Sequence, residues 1–198
     1  MKKTTLIMVL GMLALGASAQ TIVETGTFTD TRDGHVYKTL TIDVDTLARV
    51  QVKRTWYAEN NRFPVNGKSY CYKDVDAYCE KYGRLYTYTG ALESCPDGWR
   101  VPTIADWREI FALYGGIHKA GEAIKEAGES GLNLQYEGFG EPGGYYHSVG
   151  VEGYYWDSEE KSAEHAGLIS IHKGTGEIYH AQTEKYHRNA TRCILDHE

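Results

Sequence analysis

Residues Cys95 to Trp107 read CPDGWRVPTIADW, and this stretch decides the fold. Cys95 and Pro96 lead through Gly98 to Trp99, and Thr103 then stands where a helix begins. Thr103 is a good N-cap, and Asp106 three residues later completes a capping-box-like pair. Trp107, Ile110, Phe111 and Tyr114 follow at i, i+3, i+4 and i+7, the spacing of one buried helical face, and Gly115-Gly116 ends the run. Each residue has a structural role, as a cysteine to staple, a turn, an aromatic for the core or a cap. The stretch therefore reads as the hinge on which a domain is built rather than as the entrance to an active site.

Working outward, the first residues set the compartment. Lys2 and Lys3 precede the apolar run LIMVLGMLALG, which ends in Ala17, Ser18 and Ala19; residues 1–19 read as a signal peptide cut before Gln20. Export to the periplasm, cell surface or medium is expected. No later run is apolar for long enough to span a bilayer, so no membrane insertion is expected. The formal charge of −6 becomes more negative once both lysines are lost, which excludes a phosphate-backbone partner: no nucleic acid is expected.

Cys71, Cys79, Cys95 and Cys193 all lie in the exported part, where disulfides are the default. Three pairings are available. Cys71 and Cys79 bracket a short polar loop, so the reading pairs them and leaves Cys95 with Cys193. Zinc is disfavoured because no CxxC pair occurs.

Along the chain, residues 20–32 form a lead-in strand and 33–198 a single domain. Val36, Leu40, Ile42, Val44, Val50 and Val52 alternate with polar residues, and Asp33-Gly34 marks a tight turn. Trp56 to Leu92 is aromatic and irregular. A second helix is spelled by Ala120, Ala123, Ile124 and Ala127, and Gly138 to Glu160 reads as a Gly/Tyr-rich loop with a short strand at its end. GLISI and EIYHA flank a hairpin turn, and NATRCILD is a final strand; Asn189-Ala190-Thr191 inside it matches the N-glycosylation pattern by chance.

The order DGHVYKT, WYAEN, CYKDVDAYCEKYGRLYTYTGAL, CPDGWRVPTIADW, PGGYY, YYWDS and TRC, from about Asp33 to Cys193, resembles the Fibrobacter succinogenes major paralogous domain, a family of exported proteins common in the Bacteroidetes group. The resemblance implies an α+β, C-type lectin-like fold: two helices on a twisted, mostly antiparallel sheet, with a long Gly/Tyr-rich loop region on one side. It also implies a bridge from the first main helix region to the last strand, as Cys95 and Cys193 supply. The family's biochemical activity is largely undefined.

Lectin-like domains that bind sugar through calcium use a Glu-Pro-Asn type loop and a Trp-Asn-Asp strand. Here Glu141-Pro142-Gly143 and Trp156-Asp157-Ser158 depart from both, so Glu141, Glu152 and Asp157 are weak calcium candidates, and no metal or other cofactor is expected. Metal-free sugar binding suits Tyr145, Tyr146, Tyr154, Tyr155 and Trp156 with Asp157: rings stack on a hexose face while polar groups take its hydroxyls. HExxH, GxSxG, P-loop and dinucleotide motifs are missing, and formylglycine-generating enzymes, which share the lectin-like fold, need reactive thiols that are expected to be bridged here. The expectation is a secreted, non-catalytic binding or adhesion module at the bacterial envelope with glycan as ligand. The alternatives are a protein-interaction module with an envelope or host partner and, less favoured, a hydrolase; the sequence leaves the oligomeric state open.

Overall fold

The protein is described by a computed structural model for residues 23–45 and 51–196. The expected signal peptide, its expected cleavage site and Val50 lie outside the described residues. The fold is mixed, with mostly antiparallel sheets, a few short helices and two disulfides.

The chain opens with β1 (Val23–Thr29), β2 (Val36–Asp45) and β3 (Gln51–Tyr57). Asp33-Gly34 makes the first hairpin turn as expected: Gly34 has φ 78° and its N–H donates to Asp30 O. Along β2, Leu40, Ile42 and Val44 point to the core, the period-two pattern of a strand. The next segment holds β4 (Ser69–Tyr70), a 3-10 turn (Tyr72–Asp74), α1 (Asp76–Tyr82), β5 (Leu85–Tyr86) and α2 (Tyr88–Ser94). The elements here are short, but α1 and α2 were not expected, so the two-helix expectation is corrected: the described residues form four α-helices.

After α2 comes the hinge stretch. Cys95 is bonded to Cys193, Pro96 O accepts from Trp99 N–H, and β6 (Trp99–Arg100) pairs with the last strand, β12 (Ile194–Asp196). Trp99 is only half-buried, between Phe28 and Tyr57. The capping box forms in full at the start of α3 (Ile104–Leu113). Thr103 Oγ1 accepts from Asp106 N–H, and Asp106 Oδ2 accepts from Thr103 N–H at 2.7 Å. Burial works against the Asp106 charge, but bonds from Arg100 and Thr103 hold its carboxyl below the ordinary value. Such a cap contributes about 1 kcal/mol.

α4 (Ala120–Ile124) is shorter than its apolar spacing predicts and excludes Ala127, which sits at φ 60°. The chain turns back on the helix at Gly128, where a Cβ would meet Ala123 O at 2.2 Å. The region read as loop is instead β7 (Phe139–Glu141), β8 (Tyr145–His147) and the nine-residue β9 (Glu152–Glu160). β10 (His165–His172) and β11 (Ile178–Glu184) form the expected hairpin. The final strand is three residues long, with Asn189 and Ala190 making only isolated bridges.

Among the described residues the strands form a five-stranded sheet in the order β1-β2-β3-β12-β6, a three-stranded sheet in the order β11-β10-β9, and two two-stranded pairs, β4-β5 and β7-β8. The main core lies between them. Trp56 of the larger sheet meets Trp107 of α3, with Tyr155, Ile169 and Ile171 contributed by the smaller sheet.

Arg192 is fully buried where these parts meet. Its guanidinium donates to Asn60 Oδ1, Tyr57 O, Leu132 O and Asn133 O at 2.7–2.8 Å. Asn60 Nδ2 in turn donates to Glu137 Oε2 at 3.2 Å, so the cation and the carboxyl are linked through one amide.

Candidate functional site

The six ring and carboxylate candidates do not form one surface. Tyr145, at the tip of the β7–β8 hairpin, is 66 % exposed. Tyr146 is half-buried: its hydroxyl donates to Asp74 Oδ1 and accepts from Arg188, and its ring packs on Tyr72, docking the Cys71–Cys79 loop onto the hairpin. Tyr154 is half-buried, its ring edge-on to Phe139 at 5.0 Å and its hydroxyl donating to Glu152 at 2.6 Å. Burial, followed by the Glu152 carboxylate, raises its pKa.

Tyr155, Trp156 and Asp157 are corrected: all three are buried. β9 is covered on both sides, so alternation sends Tyr155 into the main core and Trp156 into the cluster around Tyr86 and Tyr88. Trp156 Nε1 donates to Tyr86 O. Asp157 reaches across β10 to His180 Nε2 at 3.1 Å and accepts from Glu159 N–H. The crossing needs Gly167, where a Cβ would lie 2.3 Å from the carboxylate. Burial raises the Asp157 pKa, against His180 and the Glu159 N–H.

The weak calcium candidates do not converge either. Glu141 faces His147 at 3.7 Å, Glu152 is taken by Tyr154, and Asp157 is held on the other side of the sheet. Among the described residues, no group of three or more His, Cys, Asp or Glu side chains is placed to hold a metal ion.

What the fold does build is a cleft of about 220 Å³ between the β7–β8 hairpin, the smaller sheet and the segment before β12. By strand alternation Tyr154, Leu168, Ser170, Ala181 and Thr183 share the sheet face that lines it. Phe139 and His187 stand as walls, their rings 5.8 Å apart, and His187 Nδ1 is bonded to Thr183 Oγ1 at 2.6 Å. Asn189 also lines the cleft and is 1 % exposed. Its main chain is paired on both sides with Tyr86, while its Nδ2 has no hydrogen-bond partner. So buried a side chain is no glycosylation acceptor.

Glu137 fixes one side of this cleft from behind. Its Oε1 accepts from Tyr154 N–H, and its Oε2 lies 2.8 Å from the Tyr155 hydroxyl. Complete burial pushes its pKa up to about 8, although the bonds from Tyr155, Tyr154 and Asn60 oppose the shift. Between about pH 4.5 and 8 the folded chain thus holds a proton that the unfolded chain has released, so this group makes stability fall as pH rises through that window. Glu137→Gln, which mimics the neutral acid, is expected to flatten the fall. Urea midpoints at acidic and alkaline ends of the window check this, and an unchanged difference between them in the variant would contradict it.

Only Tyr154 and Glu141 among the expected site residues belong to the cleft. Phe139, Thr183, His187 and Asn189 carry no motif; the only sequence signal touching them is the Asn189-Ala190-Thr191 pattern, which points to a different chemistry.

The sequence matches the Fibrobacter succinogenes major domain over residues 42–194. No curated protein matches the chain, and no solved structure does. Among the described residues no helix is long and apolar enough to cross a membrane. All four cysteines are bridged, Cys71 with Cys79 and Cys95 with Cys193, which fits an exported protein. With the match running from β2 to β12 and both bridges inside it, the chain belongs to the Fibrobacter succinogenes major domain family.

Proposed function

We propose that the protein is a secreted, non-catalytic binding module of C-type lectin-like fold that recognises glycan at the bacterial envelope through the cleft beside Tyr154. The lectin-like reading is supported by the pairing of an early strand, β3, with the last strand, β12, and by the Cys95–Cys193 bridge next to them. The observation that carries the function is the lining of the cleft: aromatic walls with hydroxyl and amide groups, the combination that meets a sugar's apolar face and its hydroxyls together.

Tyr154→Ala is expected to weaken binding to a glycan or mucin array about tenfold, the equivalent of about 1.4 kcal/mol. Binding should survive a chelator, because the calcium candidates are dispersed. An array on which the native chain from Gln20 binds nothing sinks the glycan reading, and chelator-sensitive binding sinks its metal-free form.

One observation favours a second reading, a protein partner. β11 is the outer strand of its sheet, and Ile178–Thr183 carries no Lys, Asp, Glu or Pro to guard the open edge. Exposed Tyr179 stands on that strand, and exposed Ile117 is hydrogen-bonded to its start.

A further inference from the structure

We infer that the cleft takes one neutral N-acetylated amino sugar unit, with the acetamido carbonyl on Asn189 and the acetamido methyl on Leu168 and Ala181. This rests on the glycan reading and makes it specific.

Four observations lead there. The volume of about 220 Å³ is below the range for drug-sized ligands and suits a single pyranose with one substituent. Neither Lys nor Arg lines the cleft, and Glu141 does, so uronic, sialic or sulfated sugars would find no counter-charge and one repulsive carboxylate. The main chain of Asn189 is fixed beside the cleft by two hydrogen bonds with Tyr86. Its Nδ2 is a buried donor without an acceptor, an arrangement that is unfavourable until an acceptor arrives.

Leu168 and Ala181 line the same cleft and offer a hydroxyl no side-chain hydrogen-bond partner, but they suit a methyl group. A carbonyl and a methyl held side by side on one planar group describe an acetamido substituent. The pyranose ring then meets Phe139 and Tyr154, and its hydroxyls have Ser170 and Glu141. A site that hydrogen-bonds one substituent in this way discriminates strongly against sugars lacking it.

The test is calorimetric titration of the chain from Gln20 with three trisaccharides of the same β-1,4 linkage: N-acetylglucosamine, glucose, and de-N-acetylated glucosamine. The acetylated trimer is expected to bind at least tenfold tighter than either other, with the strongest saturation-transfer signal on its acetamido methyl. Equal binding of the glucose trimer overturns the inference and leaves the glycan reading standing, as does a preference for the charged amine. If no trimer binds but other array glycans do, the inference again falls alone; a silent array removes both. Asn189→Asp, which replaces the donor by an acceptor, is expected to abolish the preference, and a folded variant that keeps it also overturns the inference. The comparison of trimers on the unsubstituted chain stands whether or not the variant folds.

Discussion

Arg192→Met is expected to be the most damaging single substitution in the domain, lowering stability by about 4 kcal/mol or more. Methionine fills a similar volume but donates nothing. Asn60 Oδ1 and the carbonyls of Tyr57, Leu132 and Asn133 would all lose their donor in a fully buried site. Leaving a buried acceptor unpaired costs about 1–3 kcal/mol each, and removing a desolvated cation returns part of that sum. Burial indeed lowers the Arg192 pKa against the pull of Tyr155 and Glu137, a sign that the charge itself is held at a cost. Since a domain of this kind has about 5–15 kcal/mol in all, the variant is expected to melt about 10 °C lower or fail to accumulate. Arg192→Lys keeps the charge but not the planar fork that reaches separate acceptors, and should fall between the two. A melting temperature for Arg192→Met within about 2 °C of the native value would refute this account of the core.

The second large effect belongs to the bridge that anchors the hinge. Cys95 and Cys193 are 98 residues apart, Cys71 and Cys79 only 8. On chain-entropy grounds the long bridge stabilises by about 4–5 kcal/mol and the short one by about 2.5 kcal/mol. Replacing Cys95 and Cys193 together by Ala is therefore expected to cost nearly twice as much in urea unfolding as replacing Cys71 and Cys79. Packing adds to the asymmetry, because Cys193 is buried against Tyr37 and Tyr57. Equal losses from the two pairs would mean that the bridges act on the native state rather than by restraining the unfolded chain.

Features written in local chemistry were legible in the sequence. The capping box at Thr103 and Asp106, the Asp33-Gly34 turn, the β10–β11 hairpin and both cysteine pairs each rest on residues whose conformational role is fixed by type and spacing. α1 was not legible: it has no buried residue, so it writes no apolar period, and Cys79 within it is bridged back to Cys71. β9 was misjudged because Gly and Tyr are common in loops, while here Gly153 is demanded by contact: a Cβ would meet Gln135 O at 2.1 Å.

The candidate site was less legible still. Tyr154, Tyr155 and Trp156 are equivalent as sequence, and only the cover on both sides of β9 separates a cleft residue from core ones. The cleft draws on β7, β9, β10, β11 and the segment 187–189, so no local window contains its pattern.

The Cys95–Cys193 bond also has a mechanical meaning. Every residue that lines the cleft, from Phe139 to Asn189, lies inside the covalent ring that it closes. Tension applied to the two chain ends passes from Cys95 directly to Cys193 and does not load the loop between them. At roughly 3.4 Å per extended residue, the bridge keeps ~330 Å of contour length out of the load path. Under such tension the chain would lengthen first through the strands before Cys95, while the cleft kept its shape.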